Sequence, residues 1–240
     1  QEKSLVEIVV VDAGCKDNTM ETVASLKTDH LMALSNRTTT SSGGRGPAMN
    51  AGARAARGNL LLFLHADTVV PPAFDATLRN AFQDPKVLMT AFRFGVNRAL
   101  LRGKAPFALA TMEKVTNART LRLHLPYGDQ AFCLTAHKFK EVGGFPDFVM
   151  MEDFELVRRL RREELAGGGE IRILDQTALC APRRWEKPGN NVLKNFLTNW
   201  VLVFLYSKAG YTPAQIFRLY YGRDPDPIGN PTLVDNPDGE

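Results

Sequence analysis

The sequence lacks any apolar run long enough to cross a membrane. Its longest apolar stretches, Asn59–Leu64 and Trp200–Tyr206, are far shorter than the roughly 20 residues that a bilayer-spanning helix needs. The first residues also lack the basic segment and apolar stretch that form a secretory signal. We therefore predict neither a transmembrane helix nor a signal peptide.

Cysteine is also scarce. The three cysteines, Cys15, Cys133 and Cys180, are scattered along the 240 residues without the paired spacing of a zinc or redox site. An odd number of scattered cysteines does not suit a disulfide framework. We interpret them as reduced thiols and expect a cytoplasmic protein.

The composition excludes several classes of protein. Hydrophobic residues make up 44% and charged residues 23%, which are ordinary values for a globular chain and exclude a disordered or fibrous one. No basic stripe interleaved with aromatic residues is present, so nucleic-acid binding is not predicted. The net charge is +4, and positive charges are concentrated at residues 158–162 and at Arg183-Arg184. Each cluster is either a solvated helix face or an anion site.

Strands and helices alternate in the first half of the chain. Two apolar runs, Leu5–Val11 and Asn59–Leu64, predict buried strands. Helices are predicted at Thr19–Leu26, at Pro47–Arg57 and from Pro71 to Phe82, with a short strand at Leu31–Leu34. This order predicts an α/β fold with a mostly parallel sheet and helices on both faces. The carboxyl ends of such strands carry functional loops, and Asp12 and Asp67 lie there.

The second half is less regular. Predicted strands are Val87–Val96, Ala131–Thr135 and Ile171–Leu179, and predicted helices are Leu100–Arg122 and Glu152–Glu164. Two amphipathic helices, Asn191–Tyr206 and Pro213–Tyr221, precede a loose end. We divide the chain into a catalytic domain at residues 1–186 and a helical extension at 187–240.

Several short motifs occur in a specific order. They are Val9-Val10-Val11-Asp12 with Asp17-Asn18-Thr19, His65-Ala66-Asp67, Tyr127-Gly128-Asp129-Gln130, Gly143-Gly144-Phe145 before Glu152-Asp153, and Arg183-Arg184-Trp185. Together they resemble the inverting nucleotide-sugar glycosyltransferases of family 2, which have the Rossmann-like GT-A fold. The forms HADT, YGDQ, GGFP, MED and RRW are most similar to the radical-SAM/selenodomain-associated branch of that family.

The resemblance covers Leu5 to Trp185. It implies transfer of a sugar from a nucleotide-diphosphate donor to a hydroxyl acceptor, which is a glycan, a lipid or a small molecule. The family opens with a further strand and helix, so we expect this sequence to begin at the second strand of the fold.

The resemblance assigns the metal and nucleotide ligands. Asp67 stands for the last acid of the family's metal-binding motif and would hold Mn²⁺ or Mg²⁺ at the diphosphate. His65 replaces the first acid and is either a ligand of the nucleotide or a structural histidine. For Asp67 the alternative is a helix cap. Asp12 would contact the nucleobase or ribose, or else form a turn.

Further residues would bind the donor. Arg45, between two glycines and before a helix, would meet a phosphate, or the segment is a flexible loop. Asp129 would bind sugar hydroxyls, or form a turn. Arg183 and Arg184 would offset the charge of the diphosphate.

The acceptor side contains the predicted base. Inverting transfer needs a group that removes the proton of the acceptor hydroxyl, and Asp153 matches the family's base. Acidic residues are also common at helix N-termini for dipole reasons alone. Glu152 would bind the acceptor, and Trp185 would stack on it or pack in the core.

Two alternatives to this enzyme stay open: a nucleotide-sugar-binding or scaffold protein without turnover, and a sugar nucleotidyltransferase.

The apolar residues of the tail helices predict packing on the catalytic domain or a homodimer. The alternative is a peripheral membrane surface, where four cations would face anionic headgroups. These cations are Lys194, Lys208, Arg218 and Arg223.

Overall fold

The computed structural model describes residues 6–15, 17–26, 31–35, 44–103, 108–186 and 192–225. The strands are β1 (Ile8–Asp12), β2 (Leu31–Ser35), β3 (Leu60–Phe63), β4 (Thr68–Val69), β5 (Val87–Val96), β6 (Phe132–Thr135) and β7 (Glu170–Cys180). The helices are α1 (Thr19–Ser25), α2 (Arg45–Ala55), α3 (Phe74–Ala81), α4 (Leu109–Leu123), α5 (Ala136–Glu141), α6 (Glu152–Leu165), α7 (Arg183–Glu186), α8 (Val192–Lys208) and α9 (Pro213–Tyr221).

Most predicted elements are confirmed to within three residues at each end. The exception is the predicted helix Leu100–Arg122, which begins only at Leu109. A separate 3₁₀ turn, Arg98–Leu100, precedes it, because the side chain of Asn97 accepts a hydrogen bond from the backbone of Ala99 at 3.2 Å. A side-chain cap of this kind ends the strand in a short turn.

The strands form two sheets with mixed directions. β1 and β2 are a parallel pair, and the second sheet has the order β3-β6-β5-β7-β4. In that sheet β5–β7 is parallel, whereas β3–β6, β5–β6 and β4–β7 are antiparallel. The α/β class is confirmed, and the two longest pairings, β1–β2 and β5–β7, are parallel, as predicted, whereas the shorter pairings are antiparallel. Strand β4 follows β3 without an intervening helix, and β6, although it follows α4, pairs antiparallel with both of its neighbours, β3 and β5.

Helices cover both faces of the five-stranded sheet, as predicted. Successive residues of β6 point to opposite sides, so Phe132 and Leu134 pack towards α5 and α6, whereas Cys133 packs with Leu78 of α3. Helix α2 connects the two sheets. Its Gly52 lies against β1, while its Met49 packs on the core of the larger sheet.

The C-terminal helices pack on α6. Leu202 of α8 and Ile216 of α9 are buried with Met151 and Phe154. The hydroxyl of Tyr206 donates to a carboxylate oxygen of Glu155 at 3.0 Å. The predicted domain boundary at 186/187 and the predicted loose end from 226 onwards fall on residues outside the described ranges. Across the described part of the chain, every helix is too short or too polar to span a bilayer.

Candidate functional site

Asp153 is positioned by a turn from another part of the chain. The Gly128 N–H donates to Asp153 Oδ2 at 2.9 Å, and the Phe154 N–H donates to Oδ1 at 2.7 Å. A Cβ atom at residue 128 would lie 2.9 Å from His65 Nε2 and 3.2 Å from Asp153 Oδ2. A side chain at this position would therefore clash, and the glycine lets His65 and Asp153 approach the same backbone segment.

Gln130 holds this turn in place. Its Oε1 accepts hydrogen bonds from the Thr120 hydroxyl and the Tyr127 N–H, both at 3.1 Å. Its Nε2 donates to the carbonyl of Phe92 at 2.8 Å. These bonds tie the turn to β5 and α4, which fixes the direction of the Gly128 N–H. The motif Tyr127-Gly128-Asp129-Gln130 was identified in the sequence without a predicted role for Gln130, although a polar residue at the start of a buried strand was an available signal.

Glu152 is buried beside an arginine. Its Oε1 accepts from Arg45 Nε at 2.9 Å, and the carboxylate is 1% exposed while the Arg45 side chain is 56% exposed. Within the described residues, Glu152 Oε2 is buried and has no hydrogen-bond partner. Burial raises the pKa of Glu152 above its ordinary value, and the charge of Arg45 opposes this shift.

The glycine beside Arg45 permits this contact. A Cβ atom at Gly46 would lie 2.6 Å from the carbonyl oxygen of Pro146 and 3.3 Å from Cβ of Glu152. The first turn of α2 therefore packs directly on the segment before α6. Close packing, rather than a flexible loop, accounts for Gly46.

His65 is neutral at pH 7. Burial, and then the positive charge of Arg45, lower the pKa of His65 to about 4, although Asp153 and Asp67 act in the opposite direction. A neutral imidazole has one donor and one acceptor nitrogen. His65 can therefore both donate and accept a hydrogen bond in this site.

Asp67 belongs to an exposed ion pair. Arg183 Nη2 donates to Asp67 Oδ2 at 3.2 Å, and the two side chains are 68% and 43% exposed. The backbone of Asp67 is fixed, because its carbonyl accepts from the Ala181 N–H at 2.8 Å. Helix α3 has Ala73 at its N-cap, so Asp67 does not cap it. The turn Gly128–Gln130, which contains Asp129, contacts β7 as well. Burial, and then the charges of Asp129 and Asp67, raise the pKa of Cys180 at the end of β7.

The remaining predicted residues are Asp12, Trp185 and Arg184. Asp12 is 2% exposed, and its Oδ1 accepts from the N–H groups of Gly14 and Cys15 at 2.9 and 2.7 Å, which is a turn. Trp185 packs edge-on against Phe94, as the core alternative predicts. The side chain of Arg184 is outside the described part of the structure. The residues that the structure brings together are Arg45, His65, Asp67, Asp129, Glu152, Asp153 and Arg183.

A preformed metal cage is not found in the described residues, since no group of three or more His, Cys, Asp or Glu side chains is close enough to hold an ion. Mg²⁺ at phosphates is typically bound through one or two carboxylates, the phosphates themselves and water. The exposed carboxylate of Asp67 suits that kind of binding. The residues present therefore fit an ion that arrives with a phosphate ligand.

Comparison with family models gives one match, Glycosyl transferase family 2, over residues 1–143. No curated protein sequence matches the chain. Among solved structures, Staphylococcus aureus TarS 1–349 in complex with UDP-GlcNAc has 15% identity and a TM-score of 0.53, with 92% of this chain and 64% of that one covered.

Two further structures are similar. GalNAc-T7 with UDP, GalNAc and Mn²⁺ has 15% identity and a TM-score of 0.54, with coverage of 98% of this chain and 48% of that one. The mannosyltransferase PcManGT from Pyrobaculum calidifontis, in complex with GDP-Man and Mn²⁺, has 18% identity and a TM-score of 0.50, with coverage of 90% and 60%. This chain spans less than two thirds of each of the three structures. The likeness shows the fold, which is the GT-A fold.

Proposed function

The chain belongs to glycosyl transferase family 2, and we propose from this premise that it transfers a sugar from a nucleotide-diphosphate donor to a hydroxyl acceptor with inversion. One observation carries the proposal: Asp153 is held by Gly128, beside the neutral His65, in a cluster that also contains Asp67 and Arg183. A carboxylate for proton transfer and charges for a diphosphate thus lie in one place.

Asp153 is the proposed general base. The acceptor hydroxyl loses its proton to Asp153 as its oxygen forms a bond to the anomeric carbon. The bond from that carbon to the diphosphate oxygen breaks, and the nucleotide diphosphate leaves with the electron pair. Attack opposite the leaving group inverts the configuration. The bond from the Gly128 N–H fixes the orientation of Asp153 for this step.

The opposite end of the cluster would bind the donor. Asp67 would hold a divalent ion, Mn²⁺ or Mg²⁺, and such an ion neutralises charge on the diphosphate. Arg183 would pair with the same phosphates, because its guanidinium is exposed and already lies beside Asp67. His65 would donate a hydrogen bond to the donor without adding positive charge.

The remaining assignments are part of the proposal. Arg45 and Asp129 would contact the donor from either side, and Glu152 would bind the acceptor through the oxygen that Arg45 does not occupy. Asp12, Arg184 and Trp185 keep the roles at the nucleotide, the diphosphate and the acceptor that the family resemblance implies. We also propose that the chain belongs to the radical-SAM/selenodomain-associated branch of the family. We propose a cytoplasmic location because the three cysteines are free.

A donor screen tests the proposed function. The purified protein is incubated with UDP- and GDP-sugars, with and without Mn²⁺, and nucleotide release is measured. We expect metal-stimulated release with one class of donor. The configuration at the anomeric carbon of the product, read by NMR, tests inversion. Tight donor binding without any release under acceptor-saturated conditions would favour the non-catalytic alternative, and release of pyrophosphate from a nucleoside triphosphate would favour the nucleotidyltransferase.

A further inference from the structure

Helix α8 carries an apolar stripe on the side opposite its buried residues. Leu202 packs into the core with residues of α6 and α9. The other side of the helix exposes Leu197, Trp200, Val201 and Phe204, whose exposed fractions are 54%, 44%, 54% and 61%. Their spacing of three and four residues lines them up along one face. We refer to these four residues as the α8 stripe.

The α8 stripe is continued by α9. Leu219 of α9 is 56% exposed and lines an apolar groove of about 530 Å³ together with Leu197 and Val201. Soluble surfaces rarely expose contiguous apolar side chains of this size unless the patch meets a partner. The stripe and groove together are therefore a candidate interaction surface.

The charges around the stripe have one sign. Exposed Lys194 and Lys208 lie three residues before and four residues after the stripe, which places them on the same face of α8. Residues 192–223 contain four cations and no Asp or Glu. Arg218 is paired with Asp224 and Arg223 lies over the ring of Phe217, whereas the two lysines are exposed and have no ion pair among the described residues.

This combination favours one kind of partner. An apolar face with Trp and Phe, bordered by lysines, is typical of helices that lie in the interface of a bilayer. In a symmetric pair of this chain, two lysine-bordered stripes would meet and their like charges would repel. Anionic headgroups would instead attract the lysines while the apolar side chains enter the acyl boundary.

We propose that the α8 stripe, with Lys194 and Lys208, docks on the surface of an anionic lipid bilayer. Helix α8 would lie parallel to the surface with the stripe about 5–10 Å below the headgroups. The opposite face of α8 packs on α6, which begins with Glu152 and Asp153. Docking would thus hold the candidate site beside the membrane. The inference rests on α8 and α9 and does not depend on the proposed transferase activity.

Vesicle flotation tests the proposal. The full chain is mixed with vesicles of phosphatidylcholine alone or with phosphatidylglycerol, at about 0.05 and 0.5 M salt. We expect flotation with the anionic vesicles at low salt and at least about tenfold weaker binding when Lys194→Glu and Lys208→Glu are combined. The matched control, Lys86→Glu with Lys140→Glu, changes the net charge equally at exposed positions elsewhere and should bind like the wild type.

A second variant tests the apolar contribution. Leu197→Ser, Val201→Ser and Phe204→Ser together should abolish flotation and keep a cooperative thermal transition, because all three side chains are more than half exposed. Failure of the wild type to float would overturn the proposal, as would equal flotation of the wild type and both variants. A dimer that the serine variant disrupts, without vesicle binding, would also overturn it. Nucleotide binding by the same variants reports separately on the proposed function.

Discussion

Glu152 and Asp67 are carboxylates of the same candidate site, and their surroundings differ sharply. Glu152 is 1% exposed, keeps one oxygen without a hydrogen bond to any described residue and pairs with Arg45 across 107 residues of sequence. Asp67 is 43% exposed and pairs with an arginine that is 68% exposed. Each ion pair joins an acid to an arginine, so exposure is the main difference between them.

Because their exposure differs, we expect the two ion pairs to have different roles. A buried carboxylate carries a large desolvation cost, and removal of its partner leaves that cost uncompensated. An exposed pair contributes little to stability, and either member can leave its partner and bind a ligand instead. We therefore expect the Glu152 side of the site to be preorganised and the Asp67 side to respond to the donor.

Loss of the base should have the largest effect. Asp153→Asn keeps the shape of the side chain and one oxygen for the Gly128 N–H, but cannot take up the acceptor proton. We expect transfer to fall by about 10²–10⁴-fold with donor affinity nearly unchanged. Initial rates and calorimetry measure the two quantities. Asp175→Asn, at a side chain that is 94% exposed, is the control; normal transfer by the Asp153 variant would contradict the role.

Loss of the exposed carboxylate should affect binding instead. Asp67→Ala removes the proposed ligand of the divalent ion, so the Mn²⁺-dependent part of UDP or GDP affinity should disappear. The thermal transition should stay cooperative, because the side chain lies at the surface. Calorimetry with and without Mn²⁺ measures this, with Asp175→Ala as the control. Unchanged metal-dependent affinity would show that the assignment is wrong.

Replacement of each arginine by methionine should show that the two ion pairs contribute differently to the free energy of unfolding. Arg45→Met leaves the buried Glu152 carboxylate without its partner and should lower the free energy of unfolding by about 1–2 kcal/mol near neutral pH. Arg183→Met should change it by less than about 0.5 kcal/mol. Urea denaturation measures both.

The pH dependence sharpens this test. Since burial already raises the pKa of Glu152 in the folded state, the folded protein takes up a proton at a higher pH than the unfolded chain does. When pH rises through the folded pKa of such a group, its deprotonation lowers the free energy of unfolding. Protonation at lower pH restores that free energy. The deficit of Arg45→Met should therefore shrink as pH falls towards 4.5, the ordinary pKa of glutamate. Equal deficits for the two arginine variants would contradict the comparison.

The last expected effect is on the pH dependence of stability and concerns His65. Its pKa is about 4 in the folded state against an ordinary value of 6.5, so the unfolded chain binds the extra proton between these values. Stability from this group is complete above pH 6.5 and falls as pH decreases towards 4. His65→Gln should remove up to about 3 kcal/mol of this pH dependence. His137→Gln, at a side chain that is 90% exposed, should leave the dependence as in the wild type.

Local patterns were sufficient for most elements of the fold. The apolar run of β5 is buried along nearly its whole length, and its predicted bounds Val87–Val96 are confirmed. Helix α6 begins at Glu152, where the acidic residues and the apolar period predicted it. Strand direction was not predictable in the same way, because the pairing of β6 with β3 and β5 joins segments that are far apart in the sequence.

The candidate site shows the same contrast between local features, which were predicted, and contacts between distant segments, which were not. The family resemblance implied the roles of the acids at 67 and 153, and the motifs that carry it, HADT and MED, are short local segments. The contact of Arg45 with Glu152 and the support of the turn by Gln130 were missed, since both depend on packing between distant segments. For the segment with Gly46, a phosphate-binding turn and a flexible loop were both left open, whereas the structure places Gly46 in the first turn of α2, against the carbonyl of Pro146.

The division into two sheets has a consequence for hydrogen exchange. Strand β5 is paired on both sides, by β6 and β7, so its amide protons should exchange only when the whole fold opens. In the described residues, β1 is paired with β2 alone, and α2 connects this pair to the rest. The β1–β2 pair can therefore open as a separate unit at lower free energy. A nucleotide that contacts both Asp12 and Asp67 would bridge the two units and slow amide exchange in β1 and β2 more than in β5.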